Sequence, residues 1–321
     1  MMIVTLTANP SVDRTLFIPE LPHGGITRSD RSDCEPSGKG VNVALALAQH
    51  GHATRAVFPE GGFAGVQLRA MLQDAGVDHV AVPIKGGVRT NISLVEPSGT
   101  VTKVNEAGPV LTDKESAELM LAACSELSGA TWMAGCGSLP AGVSEHLYGR
   151  LIDECRDRGV KVAIDAWGAP LRHALAHGPD LISPNVAELA SVVERSIENL
   201  GDVLDAAELL RQQGARAVLA SLGPDGALLV DDDGACHGEA PVDEVASAVG
   251  AGDALLAGFL AAGGKGRTAL ATALAWAAAA VQNGGTLFTA ANSAPVLIHE
   301  EVNSERLLHD PVRKSSTALN P

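Results

Sequence analysis

The sequence predicts an α/β protein with three layers, in which a mostly parallel central sheet is flanked by helices and carries a small β lid. Short β-branched runs alternate along the chain with longer segments of helical periodicity, an order typical of βαβ units. The runs are continuously apolar, as expected of strands that helices cover on both faces. Hydrophobic residues make up 46% of the 321 residues, which is enough for a large buried core.

The alternation assigns each element in turn. The predicted strands are 3–7, 53–57, 131–134, 161–165, 180–183, 217–221 and 227–230. The predicted helices are 41–50, 65–75, 113–127, 144–158, 170–177, 186–193, 203–213, 254–262 and 268–282. The main domain is predicted over residues 1–300, followed by a polar, frayed tail over 301–321.

Two stretches interrupt the alternation. Residues 12–36 are rich in Pro and Gly, and within 84–106 the runs NISLVEP and VTKVN flank a Ser-Gly pair in the manner of a hairpin. We predict that both form the small β lid inserted in the main domain. Surface loops without a function would give the same pattern.

Composition excludes several classes of protein. With 23 Lys+Arg against 38 Asp+Glu, the formal net charge is −15, and a chain of this charge does not attract nucleic acid. The apolar stretch 268–282 is too short to span a bilayer, and the N-terminus lacks the pattern of a signal peptide. The 5 cysteines have no CxxC spacing and the 10 histidines form no HExxH or other close pair suited to a metal. We therefore expect a cytoplasmic protein with no membrane partner.

The segment SAVGAGDALLAGF at 247–259 runs from a glycine-rich turn into a helical pattern. The small residues Gly250, Ala251 and Gly252 would let a ligand approach backbone N–H groups at a helix N-terminus, where the helix dipole favours an anion. Asp253 could accept a proton from an attacking hydroxyl. An ordinary helix cap is the alternative interpretation.

Three polar residues near the N-terminus suggest a site for a hydroxylated ligand. Gly38 and Lys39 open the predicted helix at 41–50, and Asn42 lies in its first turn, so backbone donors, a charge and an amide come together. Asp13 follows the first predicted strand, at the sheet edge where ligands bind in open α/β folds. A helix entry with a solvated Lys and an Asx turn are the alternatives.

Further candidates follow later strands or enter the predicted hairpin. Arg89 offers a guanidinium fork to a phosphate, and Ser138 presents a hydroxyl after the strand at 131–134. An exposed Arg and a plain βα turn are the alternatives. A further set of candidates surrounds two turns after strands 180–183 and 217–221: Asn185, Glu188, Ser221, Gly223 and Gly226. Here the alternatives are a capped helix and a hairpin turn.

Taken together, these motifs resemble those of the ribokinase-like sugar kinases, the PfkB carbohydrate kinase family, from about residue 3 to about residue 292. VGAGDALLAGFLAAG resembles the family's C-terminal signature, and GKGVN stands upstream at the family's spacing. TANPSVDRT, GKGVNVALAL, RTNI, GSLP and DAWGAPL resemble the hexose-phosphate kinase branch, which includes 1-phosphofructokinases, tagatose-6-phosphate kinases and minor 6-phosphofructokinases. The resemblance implies a ribokinase-like fold.

The resemblance also implies a role for each motif. Asp253 corresponds to the catalytic base, and Gly250, Ala251 and Gly252 correspond to the anion hole. The implied acceptor-binding residues are Asp13, Gly38, Lys39, Asn42, Arg89 and Ser138, with Lys39 and Arg89 on the phosphate that the sugar already carries. The residues implied around the ATP phosphates, the magnesium ion and the nucleotide are Asn185, Glu188, Ser221, Gly223, Gly226 and Asn283, with Glu188 reaching the metal through water.

The chain departs from the family pattern at three positions. Ser183 stands where the family has the Lys of a KPN motif, Ala248 where a Thr precedes VGAGD, and Ser37 where a Gly precedes GKG. The absent Lys removes a positive charge from a site that must hold ATP. The resemblance therefore implies either weaker ATP binding or a cation supplied from elsewhere in the chain.

The implied activity is the ATP-dependent phosphorylation of a ketohexose phosphate, with fructose 1-phosphate converted to fructose 1,6-bisphosphate as the first expectation. Tagatose 6-phosphate and fructose 6-phosphate are alternative acceptors, and a sugar-phosphate-binding regulatory protein without turnover is the alternative class. The implied cofactors are ATP and Mg²⁺, with a monovalent cation such as K⁺ in addition. A homodimer formed through the lid is a further expectation.

Overall fold

A computed structural model describes residues 1–242, 244–283 and 295–313. The strands are β1 (Met2–Thr7), β2 (Ser11–Phe17), β3 (Arg31–Ser37), β4 (Ala53–Glu60), β5 (Asp78–Pro83), β6 (Arg89–Val95), β7 (Val101–Asn105), β8 (Ala130–Cys136), β9 (Lys161–Asp165), β10 (Leu181–Ile182), β11 (Ile197–Asn199), β12 (Val218–Ser221), β13 (Ala227–Asp231), β14 (Gly234–Glu239), β15 (Leu297–His299) and β16 (Leu307–Val312). The helices are α1 (Lys39–Gln49), α2 (Gly62–Asp74), α3 (Asp113–Ser125), α4 (Leu147–Arg156), α5 (Gly168–Leu175), α6 (Val186–Val193), α7 (Leu200–Gln212), α8 (Ala251–Ala261) and α9 (Gly266–Gln282).

The central sheet has ten strands in the order β15-β14-β13-β12-β10-β9-β8-β1-β4-β5. The strands from β12 to β5 run parallel, and β13, β14 and β15 continue the sheet antiparallel at one edge. The predicted mostly parallel sheet is therefore confirmed. Because the parallel strands all end at the same edge, the turns that follow them meet there.

Helices cover both faces of this sheet, and side chains alternate between the two cores. In β8, Met133 points into the core formed with α3 to α7, while Trp132 and Ala134 point into the core formed with α1, α8 and α9. Helix α2 packs beside α1 through Leu68 and Leu72, which are fully buried. The result is the predicted three-layer arrangement.

The two stretches without predicted helices form a separate four-stranded sheet in the order β3-β2-β6-β7. Its register brings residues from distant parts of the chain together, because Ser11 pairs with both Ser37 and Arg89. Asp13 pairs with Asn91 in the same way. This small sheet, hereafter the lid, thus places its polar side chains next to the turn that opens α1.

Several details of the sequence prediction need correction. The helix predicted at 144–158 begins only at Leu147, and β5, β11, β14 and β15 had no predicted counterpart. The prediction of a frayed tail over 301–321 is wrong for 307–312, because these residues form β16, which pairs antiparallel with β11 and buries Leu308. Asp310 and Pro311 interrupt the apolar residues of this segment, and its partner strand lies far away in the chain. Across the described ranges, no helix combines the length and the apolar character that crossing a membrane requires.

Candidate active site

The predicted site residues follow the carboxyl ends of neighbouring parallel strands. Strands β1, β8, β9, β10 and β12 end at Thr7, Cys136, Asp165, Ile182 and Ser221. Each end leads into a turn that carries polar or glycine residues, so these turns line one edge of the sheet. The lid lies next to the same edge, since β2 follows directly after the β1 turn.

The glycine-rich turn before α8 has the conformation of an anion-binding helix start. Gly250 is the N-cap residue with a φ of 81°, in the left-handed region that favours glycine. A Cβ added at Gly252 would meet nothing within 4 Å, so the approach to this backbone is open. The N–H groups of the first helical turn are directed along the helix dipole, which attracts negative charge.

Asp253 lies in the first turn of α8 and is buried, with 8% of its surface exposed. Its Oδ2 accepts a 2.7 Å hydrogen bond from Nδ2 of Asn42, which projects from α1. Burial, reinforced by the negative charge of Asp165, raises the pKa of Asp253 to about 7, against the lowering effect of the Asn42 bond. A carboxylate with this pKa is suited to take a proton from an alcohol near neutral pH.

The ammonium group of Lys39 lies between two carboxylates. Its Nζ is 2.6 Å from Oδ1 of Asp165 and 3.0 Å from Oε1 of Glu188. Burial alone would lower the pKa of Lys39, but these carboxylates outweigh it and hold that pKa above its ordinary range. Lys39 is therefore charged and, in this structure, pairs with these two acids.

Asp165 is a site residue that the sequence analysis did not select. Its carboxylate is buried and belongs to the same charged group as Lys39 and Asp253. The available signal was its place as the last residue of a predicted strand. The oxygen donors of Asp165 and Glu188 are of the kind that Mg²⁺ binds, and the charged ammonium between them shows that this position attracts a cation. These two residues thus fit the magnesium site that the family resemblance implies.

On the lid, Asp13 belongs to a small hydrogen-bonded group. Its Oδ1 accepts a 2.8 Å bond from Ser11 Oγ and a 2.9 Å bond from Asn91 Nδ2. Ser11 pairs with Ser37, the residue before Gly38, so Asp13 is held near the entry of α1. Gly38 itself has a φ of 122°, and its carbonyl accepts a 2.8 Å bond from the backbone N–H of Asn42.

Arg89 and Ser138 are both hydrogen-bonded to Asn9. Arg89 Nη2 donates to the Asn9 carbonyl at 3.2 Å, and Asn9 Nδ2 donates to Ser138 Oγ at 3.2 Å. Among the described residues, buried polar atoms without a hydrogen-bond partner include Arg89 Nε, Asn9 Oδ1 and Asn42 Oδ1. Since buried polar groups are normally paired, these atoms indicate a position that a polar ligand would satisfy.

Asn185 and Glu188 together cap the start of α6. The Asn185 side chain accepts from the Glu188 N–H at 2.8 Å, and Oε2 of Glu188 accepts from the Asn185 N–H at 3.0 Å. This capping box confirms the alternative interpretation of a capped helix. It leaves Oε1 of Glu188 for Lys39, so the same residue takes part in both the cap and the charged group.

Ser221 and the turn after it lie beside Asn185. The two residues form an isolated parallel bridge, and Ser221 N–H donates to the Pro184 carbonyl at 3.0 Å. Directly after the turn Gly223–Asp225, Gly226 has a φ of 84°, and a Cβ there would overlap the carbonyl oxygen of Gly238. Glycine at 226 is therefore required by packing against β14.

The remaining predicted positions contribute less. Asn283 caps the end of α9, and its Nδ2 donates to the Ala279 carbonyl at 2.6 Å. Ser183, which replaces the family's Lys, is buried, and its N–H donates to the Ile164 carbonyl at 3.0 Å. Ala248 is exposed, and Ser37 is buried at the end of β3.

A buried carboxylate beside a glycine-rich helix start, with acids and a lysine next to it, is the arrangement expected for phosphoryl transfer to an alcohol. The model of the pfkB family carbohydrate kinases matches residues 7–292. The chain belongs to the pfkB family of carbohydrate kinases. Two predictions from the sequence are thus confirmed: membership of this family and the activity of a phosphotransferase.

Individual relatives of this pfkB kinase agree with the match. The chain is 36% identical to the 1-phosphofructokinase of Rhodobacter capsulatus over 265 residues, covering 80% of this chain and 82% of that protein. It is 35% identical to the ATP-dependent 6-phosphofructokinase isozyme 2 of Escherichia coli over 257 residues, covering 79% and 83%. Phosphofructokinase-2 from Escherichia coli, solved in complex with potassium, superposes with a TM-score of 0.82 at 32% identity, covering 89% of this chain and 94% of that one.

Proposed function

We propose that this pfkB kinase transfers the γ-phosphoryl group of ATP to the 6-hydroxyl of fructose 1-phosphate, yielding fructose 1,6-bisphosphate and ADP. The observation that carries the proposal is the buried carboxylate of Asp253, with a pKa of about 7, at the glycine-rich start of α8. The choice of acceptor is supported by relatives named 1-phosphofructokinase, such as that of Rhodobacter capsulatus.

Each part of the site has a role in the proposed reaction. Asp253 accepts the proton of the attacking hydroxyl as the new oxygen–phosphorus bond forms and the bond to ADP breaks. The backbone N–H groups at 250–252 stabilise charge on the migrating phosphoryl group. Asn42 orients the Asp253 carboxylate through its 2.7 Å hydrogen bond.

The acceptor is held on the lid side of the site. Asp13 binds sugar hydroxyls, while Arg89, whose Nε is buried without a partner, binds the phosphate that the sugar carries. Gly38 and Ser138 complete this acceptor site, and Lys39 lies between the acceptor side and the acids Asp165 and Glu188. Closure of the lid over the acceptor excludes water and so limits hydrolysis of ATP.

The nucleotide is held on the opposite side. The residues proposed here are Asn185, Glu188, Ser221, Gly223, Gly226 and Asn283. Asp165 and Glu188 would hold Mg²⁺, Glu188 through water, and the ion would neutralise phosphate charge. The potassium in the Escherichia coli neighbour supports a further dependence on K⁺, which an assay with K⁺ replaced by an organic cation would reveal.

We also propose a homodimer formed through the lid. Strand β7 is an edge of the lid sheet, and its Val101 and Val104 are 49% and 54% exposed. Edge strands with exposed apolar side chains favour pairing with a second chain. Light scattering should give twice the mass of the chain, and Val104→Lys should halve it.

The test of the proposed function is an ADP-release assay with fructose 1-phosphate, fructose 6-phosphate and tagatose 6-phosphate as acceptors. We expect the highest kcat/KM with fructose 1-phosphate. A higher value for either other acceptor would reassign the substrate. Binding of a sugar phosphate without ADP release would instead support the regulatory protein that Ser183, in place of the family's Lys, suggests.

A further inference from the structure

A second cluster of reactive side chains lies at the antiparallel edge of the central sheet. In the ladder between β14 and β15, His237 pairs directly with His299. Glu239 stands two residues after His237 in β14, and side chains two residues apart in a strand share one face. All three side chains therefore project from the same side of the sheet.

The side chains of this cluster, His237–Glu239–His299, lie close enough together to bind one metal ion after a small rotation. One ring nitrogen of each histidine and one carboxylate oxygen lie within 4.8 Å of one another. Nε2 of His299 is 3.2 Å from Oε2 of Glu239. Zinc bonds of about 2.0–2.2 Å in a tetrahedron place ligand atoms about 3.4 Å apart, so this pair already has the required spacing. The imidazole of His299 lies at an exposed position and can turn to shorten the distance to His237.

The buried histidine is held in the protonation state that a metal ligand needs. Its Nε2 lies 2.7 Å from the carbonyl oxygen of Asp225, and a carbonyl can only accept, so Nε2 carries the proton. The neutral ring then has its lone pair on Nδ1. A ligand histidine that donates its other N–H to a carbonyl is a common outer-sphere arrangement in metal sites.

The charge around the cluster also favours a cation. Arg306 Nη2 is 2.5 Å from Oε1 of Glu239 and 3.4 Å from Oδ1 of Asp225. The two carboxylates outnumber this one guanidinium, and Asp225 is also contacted by Nδ1 of His309 at 2.6 Å. Because Arg306 contacts Oε1, the second oxygen of Glu239 stays directed to His299.

We propose that His237, Glu239 and His299 bind a divalent transition-metal ion of the zinc type, with a fourth position open to water. Two imidazole nitrogens and one carboxylate oxygen suit Zn²⁺ or Co²⁺ and do not suit Mg²⁺, which prefers oxygen donors. The site is separate from the carboxylates of the active site. A bound ion ties β15 to β14 and, through His237, holds the turn at Asp225 that leads into Gly226.

The histidine spacing in the sequence did not indicate this cluster. Residues 237 and 299 are far apart in the chain, and neither lies in a short metal-binding motif. Only the ladder between β14 and β15 brings them together. The proposal concerns metal binding alone and does not depend on phosphoryl transfer.

The test is a titration of the full chain, without a histidine tag and after treatment with a chelator, with Co²⁺. We expect one Co²⁺ per chain, a visible absorption band of a tetrahedral site, and displacement by an equivalent of Zn²⁺. His299→Ala changes an exposed side chain and should weaken Co²⁺ binding at least about tenfold. His23→Ala, which removes an exposed histidine of the lid connection, is the matched control and should leave the binding unchanged.

Two results would overturn the site. Equal Co²⁺ affinity in the His299→Ala and His23→Ala proteins would place the metal elsewhere, and so would a weak spectrum of octahedral type. Glu239→Gln tests the carboxylate independently, because it keeps the shape of the side chain while removing the charge. Titrations are made without ATP or sugar phosphate, so failure of the kinase assay would leave this result interpretable.

Discussion

The Asn42 amide donates a 2.7 Å hydrogen bond to Oδ2 of Asp253, joining α1 to α8 beneath the glycine-rich turn. Both side chains are buried, so the bond forms where solvent does not weaken it. It orients the carboxylate and opposes the rise in pKa that burial causes. This single contact connects the proposed acceptor side of the site to the proposed base.

Replacement of the proposed base should abolish most of the turnover. Asp253→Asn keeps the size of the side chain and its place beside Asn42 but cannot accept a proton. We expect kcat to fall by a factor on the order of one hundred to ten thousand, the usual contribution of a general base. An unchanged urea midpoint is the control for folding. Near-normal turnover in this variant would show that Asp253 is not the base.

The reaction should slow at acidic pH. Because burial raises the pKa of Asp253 to about 7, protonation below that pH removes the base from the free enzyme. We expect kcat/KM for the acceptor to fall about tenfold per pH unit on the acid side. A phosphate monoester takes up its second proton near pH 6, so rates should be compared at equal concentrations of the acceptor dianion. A profile flat from pH 5 to 8 would contradict the assignment.

Lys39 should tune the base through its charge. Its ammonium lowers the pKa of Asp253, so Lys39→Met should move the acid limb of the kcat/KM profile upward by about one pH unit. The matched control is Lys39→Arg, which keeps the positive charge beside Asp165 and Glu188. If both variants keep the parent profile, the ammonium does not act on the base.

Arg89 should act on acceptor binding. Arg89→Ala removes the guanidinium that we place on the sugar phosphate, and we expect mainly a rise in the KM for that substrate, with a smaller change in kcat. Arg89→Lys keeps a charge but loses the planar fork, so its KM should lie between that of the parent enzyme and that of Arg89→Ala. An unchanged KM in the alanine variant would remove Arg89 from the phosphate site.

The C-terminal strand should stabilise the fold through Asp225. This carboxylate is fully buried and accepts from Arg306 and from the His309 N–H, which is 2.7 Å away. Arg306→Ala removes the 3.4 Å contact to this buried acid and the 2.5 Å contact to Glu239, and we expect a loss of about 1–3 kcal/mol in the free energy of unfolding. Urea unfolding measures it, with the exposed Arg313→Ala as the control. Equal stability of the two variants would contradict this role.

The prediction from sequence succeeded where local pattern decides the structure. The strand beginning at Lys161 and the helix Val186–Val193 follow from apolar runs and from a cap three residues before an acid. Gly250 was singled out by its turn and indeed has a positive φ. Such features depend on neighbours in the chain, so a single sequence suffices to find them.

The sequence by itself determined the alternation of strands and helices, and with it the sheet edge at which the polar turns gather. Only the tertiary structure decided that Lys39 lies between Asp165 and Glu188, that residues 307–312 form β16, and that His237 faces His299. These contacts join residues that are distant in the chain. These contacts are stabilised by charge pairing and strand pairing that exist only in the folded chain. The local periodicity of the sequence therefore cannot predict them.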